Sequence, residues 1–199
     1  MKRILLVRHG ESEWNAARRL QGQADIGLSP RGEEQARAMR DIIASLRPDH
    51  VITSDLTRAR RTAELLGYPD AQPIPAMREV HVGDWTGEAI ADLVAAGADD
   101  YRGWRAGTFT PPGGEGWSAF CDRVAAGVEE ALAETRERLL VVCHGAVVRA
   151  LLDRLVGLPP SRILPVGPAS LTVLARGEFV TRLEVFNYSG GDLTFDAPD

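Results

Sequence analysis

Two short stretches of the chain repeat one local pattern. Residues 3–7 (RILLV) and 139–143 (LLVVC) are apolar runs, and they lead into His9-Gly10 and His144-Gly145. A short apolar run that stops at glycine reads as a buried strand. The chain has only four histidines, so two of them mark the ends of two expected strands. Any fold must place those strands so that the histidines serve a purpose.

The rest of the pattern says how. Ser29 can cap a helix and Pro30 suits its first position. Ala36, Met39, Ile42 and Ile43 then give an amphipathic spacing of three and four, and Pro48 stops it. Residues 50–55 read as a second strand. A helix follows, opened by Ser54 or Asp55 and closed by Gly67. Residues 72–76 read as a short strand. Residues 77–115 are the least regular part, with a helix expected near 88–96. A long amphipathic helix covers 116–137, and another follows His144 over 146–157. Residues 170–175 and 180–186 alternate as two late strands on an antiparallel edge. Strands alternating with helices imply an α/β fold with a largely parallel sheet. The terminal Asp-Ala-Pro-Asp is expected to fray. At 199 residues the chain suits one domain.

Composition narrows the class. No stretch reaches the roughly 18 apolar residues of a membrane span, and the first residues lack a signal-peptide pattern. The expectation is a cytoplasmic protein without membrane partners. A net charge of −5 argues against a nucleic-acid partner. Cys121 and Cys143, the two cysteines, read as buried free thiols. Lys2 is the only lysine, so 22 of the 23 basic residues are arginine. Oligomeric state is left open.

In open α/β sheets ligands collect outside the carboxyl ends of the strands. If the two strands are neighbours, His9 and His144 face one crevice there. Arg8 adjoins one of them. Arg58 lies about one turn into a helix after another strand end. Two imidazoles, two guanidiniums and a helix N-terminus suit a dianionic phosphate. Spacings typical of metal sites are absent, as is a phosphate-cradling glycine loop ending in Gly-Lys-Ser/Thr. The expectation is therefore no metal and no cofactor. A covalent route through an unprotonated histidine fits, with one carboxyl group serving as acid and then as base.

These residues resemble a family. VRHGESEWN, SDLTRARRTAELL, MREVHVGDWTG and VVCHG, in that order, are similar to motifs of the histidine phosphatase superfamily, the phosphoglycerate mutase-like proteins. The match runs from residue 8 to residue 145. It implies a three-layer fold with a mostly parallel sheet flanked by helices, and a single domain over 1–199 with a lid near 80–118. It also implies roles. His9 becomes the phosphohistidine, while Arg8, Arg58 and His144 hold the phosphoryl oxygens. Asn15 joins the same pocket, and Gln21 and Gly22 border the substrate. Glu79 is the proton donor and then the base. The residues alone do not choose Glu79 over Glu11, Glu64 or Glu115. Three positions depart from the pattern: Cys143 for a serine, Thr86 for a frequent glutamate, and Gly116 for the serine of a Pro-Gly-Gly-Glu-Ser segment.

The resemblance favours the phosphatase branch. Cofactor-dependent mutases of the family carry an insertion with basic ligands after the glutamate. Here Arg102 and Arg105 are the only basic residues between Arg78 and Arg123. The expected activity is hydrolysis of a small-molecule phosphomonoester. The alternatives are a cofactor-dependent phosphoglycerate mutase and a non-catalytic phosphate-ligand-binding member.

Overall fold

A computed structural model describes residues 1–190. The two apolar runs are indeed neighbours. Strand β1 (Lys2–Arg8) pairs in parallel with β4 (Arg138–Cys143), with Arg8 opposite Cys143. Strand β2 (His50–Thr53) lies on the other side of β4, and the two-residue β3 (Gln72–Pro73) lies beyond it, both parallel. Strand β5 (Leu171–Arg176) runs antiparallel beside β1, and β6 (Thr181–Tyr188) closes that edge. The order is β3-β2-β4-β1-β5-β6, which gives the late antiparallel edge its expected place.

Side chains of successive strand residues point to opposite faces. Ile4, Leu6, Leu139 and Val141 therefore join one core with Phe120, Val124 and Val128 of α6 (Trp117–Glu134). Leu5, Val7, Leu140 and Val142 join a second core. It includes Met39, Ile43 of α3 (Arg40–Ser45), and Ala59 and Ala63 of α4 (Thr57–Leu65). Both faces are covered, so the strands are apolar throughout rather than alternating. Each fully buried aliphatic side chain contributes about 1.5–3 kcal/mol through area removed from water. This is the three-layer arrangement the sequence implied.

Several boundaries differ from expectation. The helix after Ser29 is split at Met39 into α2 (Pro30–Ala38) and α3. Ser29 caps α2 as expected, its side chain accepting from the Gly32 N–H. Helix α4 starts at Thr57, without a capping side chain from Ser54 or Asp55. Its cap is remote: Asp25 accepts from the Thr57 backbone N–H at 2.7 Å and from the Thr57 hydroxyl at 2.8 Å. The irregular region holds a 17-residue helix, α5 (Ile90–Ala106), kinked at Gly97. Helix α7 (Gly145–Leu151) passes into a wider turn over Leu152–Val156 and stops at Gly157, which is left-handed. A four-residue helix, α1 (Glu13–Ala16), lies in the loop after β1. Among the described residues no helix is long and apolar enough to cross a membrane. The Asp-Ala-Pro-Asp tail lies outside the described residues.

Candidate active site

The register of β1 and β4 brings His9 and His144 together. Their ring centroids are 5.1 Å apart at an interplanar angle of 65°. The His9 backbone N–H continues the ladder by donating to the Cys143 carbonyl at 2.9 Å. Burial, and then the positive charges of Arg58 and Arg8, hold the His9 pKa well below 6.5. His9 is thus neutral at pH 7. Its Nδ1 lies 2.6 Å from the Gly10 carbonyl, an acceptor only, so Nδ1 carries the proton and Nε2 the lone pair.

His144 is fully buried, and burial followed by Arg58 lowers its pKa as well. Neither of its ring nitrogens has a hydrogen-bond partner among the described residues. Such groups are expensive unless a ligand or water meets them.

The two His-Gly pairs use glycine differently. A Cβ on Gly10 would sit 2.2 Å from the Gly32 carbonyl oxygen, so backbone packing against α2 requires glycine there. A Cβ on Gly145 would meet only the Arg8 guanidinium, at an ordinary 3.5 Å or more. The open face at Gly145 belongs to the pocket.

Arg58 is fully buried and fastens the loop that borders the site. It donates to the Ala24 carbonyl at 2.6 Å and to the Gly22 carbonyl at 2.8 Å. Its Nε has no partner among the described residues. Burial pulls this guanidinium down to about 10, opposed by Glu79 and Asp25, so it stays charged at neutral pH. Arg8 is anchored by donation to the Val166 carbonyl.

Gly22 is left-handed (φ 49°), and a Cβ there would clash with Val82 at 2.8 Å. Gln21 accepts from the Ser12 hydroxyl at 2.8 Å. Asn15 completes a capping box with Ser12 at the start of α1, so it shapes the loop as well as lining the pocket.

Glu79 lines the same pocket. Its carboxylate accepts from the Val80 N–H at 2.8 Å and the Ala146 N–H, at the start of α7, at 3.2 Å. Glu11, Glu64 and Glu115 are spent elsewhere, on Ser29, Arg61 and Arg123 respectively. None of the three lines the pocket, whereas Glu79 does.

Two ion pairs hold the Glu79 loop. Arg78 binds Asp55 through two nitrogens at 2.6–3.1 Å. Arg123 binds both oxygens of Glu115 at 2.7–2.8 Å and reaches the Ala76 and Arg78 carbonyls. Glu115 in turn donates its backbone N–H to the His81 carbonyl at 2.8 Å, and its carboxylate accepts from the His81 N–H at 3.4 Å. The Pro-Gly-Gly-Glu segment is thus a brace for the residues on both sides of Glu79.

The resulting pocket is lined by Arg8, His9, Asn15, Gln21, Gly22, Arg58 and Glu79, and the His144 ring lies beside that of His9. Sequence reasoning left Arg19, Arg105 and Arg149 unassigned, and all three line it too. Arg149 had one legible signal: it lies four residues after Gly145, on the same helix face. Tyr101 and Trp104 also line the pocket, whereas Trp85 packs behind them and Trp117 bonds Asp153 at 2.7 Å. Among the described residues no group of three or more His, Cys, Asp or Glu could hold a metal ion.

The model of the histidine phosphatase superfamily (branch 1) matches residues 4–189. The chain belongs to that superfamily. Among relatives of this histidine phosphatase, a glucosyl-3-phosphoglycerate phosphatase of Mycolicibacterium vanbaalenii is 35% identical over 171 residues. The match covers 80% of this chain and 76% of the relative. A probable phosphoglycerate mutase GpmB of Serratia proteamaculans is 37% identical over 168 residues, covering 80% and 77%. A solved mycobacterial glucosyl-3-phosphoglycerate phosphatase in complex with VO3 superposes with a TM-score of 0.88 at 32% identity. That match covers 95% of this chain and 100% of the other. The protein is a histidine phosphatase with a phosphoglycerate mutase-like fold, a hydrolase of phosphomonoesters.

Proposed function

We propose that His9 is the nucleophile of this phosphatase and Glu79 its acid and base. The observation that carries the reading is the neutral His9 ring, whose Nδ1 lies 2.6 Å from the Gly10 carbonyl oxygen. His9 Nε2 attacks phosphorus, and the ester P–O bond breaks. Glu79, acting as the acid, gives a proton to the leaving oxygen. Water then attacks the phosphohistidine while Glu79 takes a proton from it, the N–P bond breaks, and phosphate departs with His9 neutral again.

Arg8, Arg58 and His144 hold the phosphoryl oxygens through both steps. The buried positive charge around His9 stabilises the transferring group more than it would in water. Asn15, Gln21 and Gly22 border the substrate, and residues 80–118 act as its lid, all within a single domain over 1–199. The substrate is a small phosphorylated metabolite, with glucosyl-3-phosphoglycerate a candidate on the strength of the similar proteins.

A phosphomonoester panel that includes glucosyl-3-phosphoglycerate tests this, run beside 3-phosphoglycerate with and without 2,3-bisphosphoglycerate. Phosphate release with an acid-labile phosphoenzyme, absent in His9→Ala, is the expected result. Isomerisation without phosphate release would replace the hydrolase reading with a mutase.

A further inference from the structure

We propose that Gln35 and Thr62 are positioning residues for His9. Together they fix the two peptide groups that flank Gly10, whose carbonyl holds the His9 Nδ1 proton and so leaves the Nε2 lone pair free to attack phosphorus. The proposal rests on the nucleophile reading above and adds the residues that set the ring's tautomer.

The backbone leaves the sheet at His9. The His9 N–H donates to the Cys143 carbonyl at 2.9 Å, and the His9 carbonyl accepts from the Ala169 N–H at 3.1 Å. The next two N–H groups find side chains instead. The Gly10 N–H donates to Thr62 Oγ1 at 3.1 Å, and the Glu11 N–H donates to Gln35 Oε1 at 2.9 Å. A backbone N–H only donates, so the oxygen of the Gln35 amide must face it. The Thr62 hydroxyl gives its own proton to the Arg58 carbonyl at 2.8 Å, which leaves its lone pairs for Gly10.

The Gly10 carbonyl and the Glu11 N–H belong to one planar peptide. Fixing the N–H therefore fixes the oxygen, which lies 2.6 Å from His9 Nδ1. Donation from that N–H also polarises the peptide and makes its oxygen a stronger acceptor. A strong acceptor at Nδ1 keeps the proton there and the lone pair on Nε2. Gly10 makes the fastening necessary, because a residue without Cβ restrains its neighbouring peptides least. Helix α2 is shaped to supply it. A Cβ on Gly32 would lie 1.9 Å from the Glu11 carbonyl oxygen, so glycine there lets the helix lie against this backbone. Gln35 is three residues further, on the same helix face. Thr62 is fully buried in α4 and ties the His9 loop to the helix that carries Arg58.

A Gln35 that merely satisfied the Glu11 N–H would affect stability and leave the imidazole unchanged. Nitrogen NMR of protein isotope-labelled at histidine separates the two roles, because protonated and unprotonated ring nitrogens resonate far apart. The chain has four histidines, and His9 is assigned by its absence in His9→Ala. At neutral pH the wild type should show Nδ1 protonated and Nε2 not. Gln35→Met keeps the length of the side chain and loses the oxygen. Its two His9 resonances should move towards each other as the tautomers mix, and kcat/KM should fall about tenfold, the scale of one hydrogen bond. The loss should be equal for p-nitrophenyl phosphate and alkyl phosphates, since the attacking lone pair is misplaced whatever group leaves. Gln35→Glu restores an acceptor and should return the resonances, with kcat/KM within about threefold of wild type. Thr62→Val should mix the tautomers as well, and Thr62→Ser should not; this pair decides if Gln35→Met does not fold. Resonances unchanged in Gln35→Met and Thr62→Val overturn the proposal, as do mixed tautomers with kcat/KM unchanged. Resonances that mix in a protein whose phosphoenzyme is not on His9 uphold the positioning of the ring and overturn the nucleophile reading instead.

Discussion

The two sides of the pocket are built by different means. The floor, with His9, His144, Arg8 and Arg58, hangs from the ends of β1 and β4 and from the first turn of α4. Sheet register and burial place it: His9, Arg58 and His144 are 2%, 0% and 0% exposed. The wall, with Glu79, follows a loop of short turns at Pro75–Met77 and Gly83–Trp85 and is braced by the Arg78–Asp55 and Arg123–Glu115 pairs. Position on the floor comes from the core, and position on the wall from partly solvated charges. Errors in the floor should therefore abolish chemistry, while errors in the wall should degrade it in a substrate-dependent way.

The largest effect tests the floor. His9→Ala should lower phosphomonoester turnover by about 10⁴-fold or more, because the covalent route is lost. Steady-state hydrolysis at even a tenth of the wild-type rate would remove the floor's claim to the chemistry. On the wall, Glu79→Gln should cost about 10²–10⁴-fold with alkyl phosphates, the range of general acid–base catalysis. It should cost much less with p-nitrophenyl phosphate, whose leaving group needs little protonation. Arg123→Met should reproduce that leaving-group dependence at a reduced scale, about tenfold, by loosening the loop. A uniform loss across leaving groups in Arg123→Met would assign this pair to stability alone.

The fourth expectation concerns pH and belongs to the floor. His9 and His144 are both held below 6.5 by burial first and by arginine charges second. The unfolded chain takes up protons near pH 6.5 that the folded chain refuses, so stability is full above that pH and falls below it. Below pH 6.5 the slope of stability with pH should steepen toward two protons, as both histidines charge in the unfolded chain only. Denaturant unfolding at several pH values measures it, and His144→Gln should halve the slope. The smallest expected effect is none: EDTA should leave turnover unchanged, since arginines rather than metal ligands surround the phosphate position. Loss restored by zinc or magnesium would reverse that expectation.

The same contrast explains what could be read in the sequence. The strands, the two-sided burial and the pairing of His9 with His144 follow from apolar runs and short-range patterns, so they were legible. Glu79 was not, because nothing local separates it from Glu11, Glu64 or Glu115. Its distinction is made by Arg123 and Arg78, which take up partners distant in the chain. Helix α5 extends ten residues beyond the expected end because Gly97 only kinks it. Tyr101 stacks on Trp85 and Trp104 meets it edge-on, which secures the second half of the helix. The cap of α4 was misplaced for a similar reason: Asp25 supplies it from 32 residues away.

The position of β1 between β4 and β5 sets an order of events during synthesis. Strand β1 is an inner strand of the finished sheet, and both its neighbours are encoded after residue 137. At ribosomal speeds of 5–20 residues per second, Ile4 to Val7 wait on the order of ten seconds for those partners. During that interval an apolar segment is exposed and His9 has no ladder to hold it. Nascent chains arrested before β4 should be ready clients for hydrophobic-segment chaperones, and catalytic competence should arrive only once β4 and β5 have emerged.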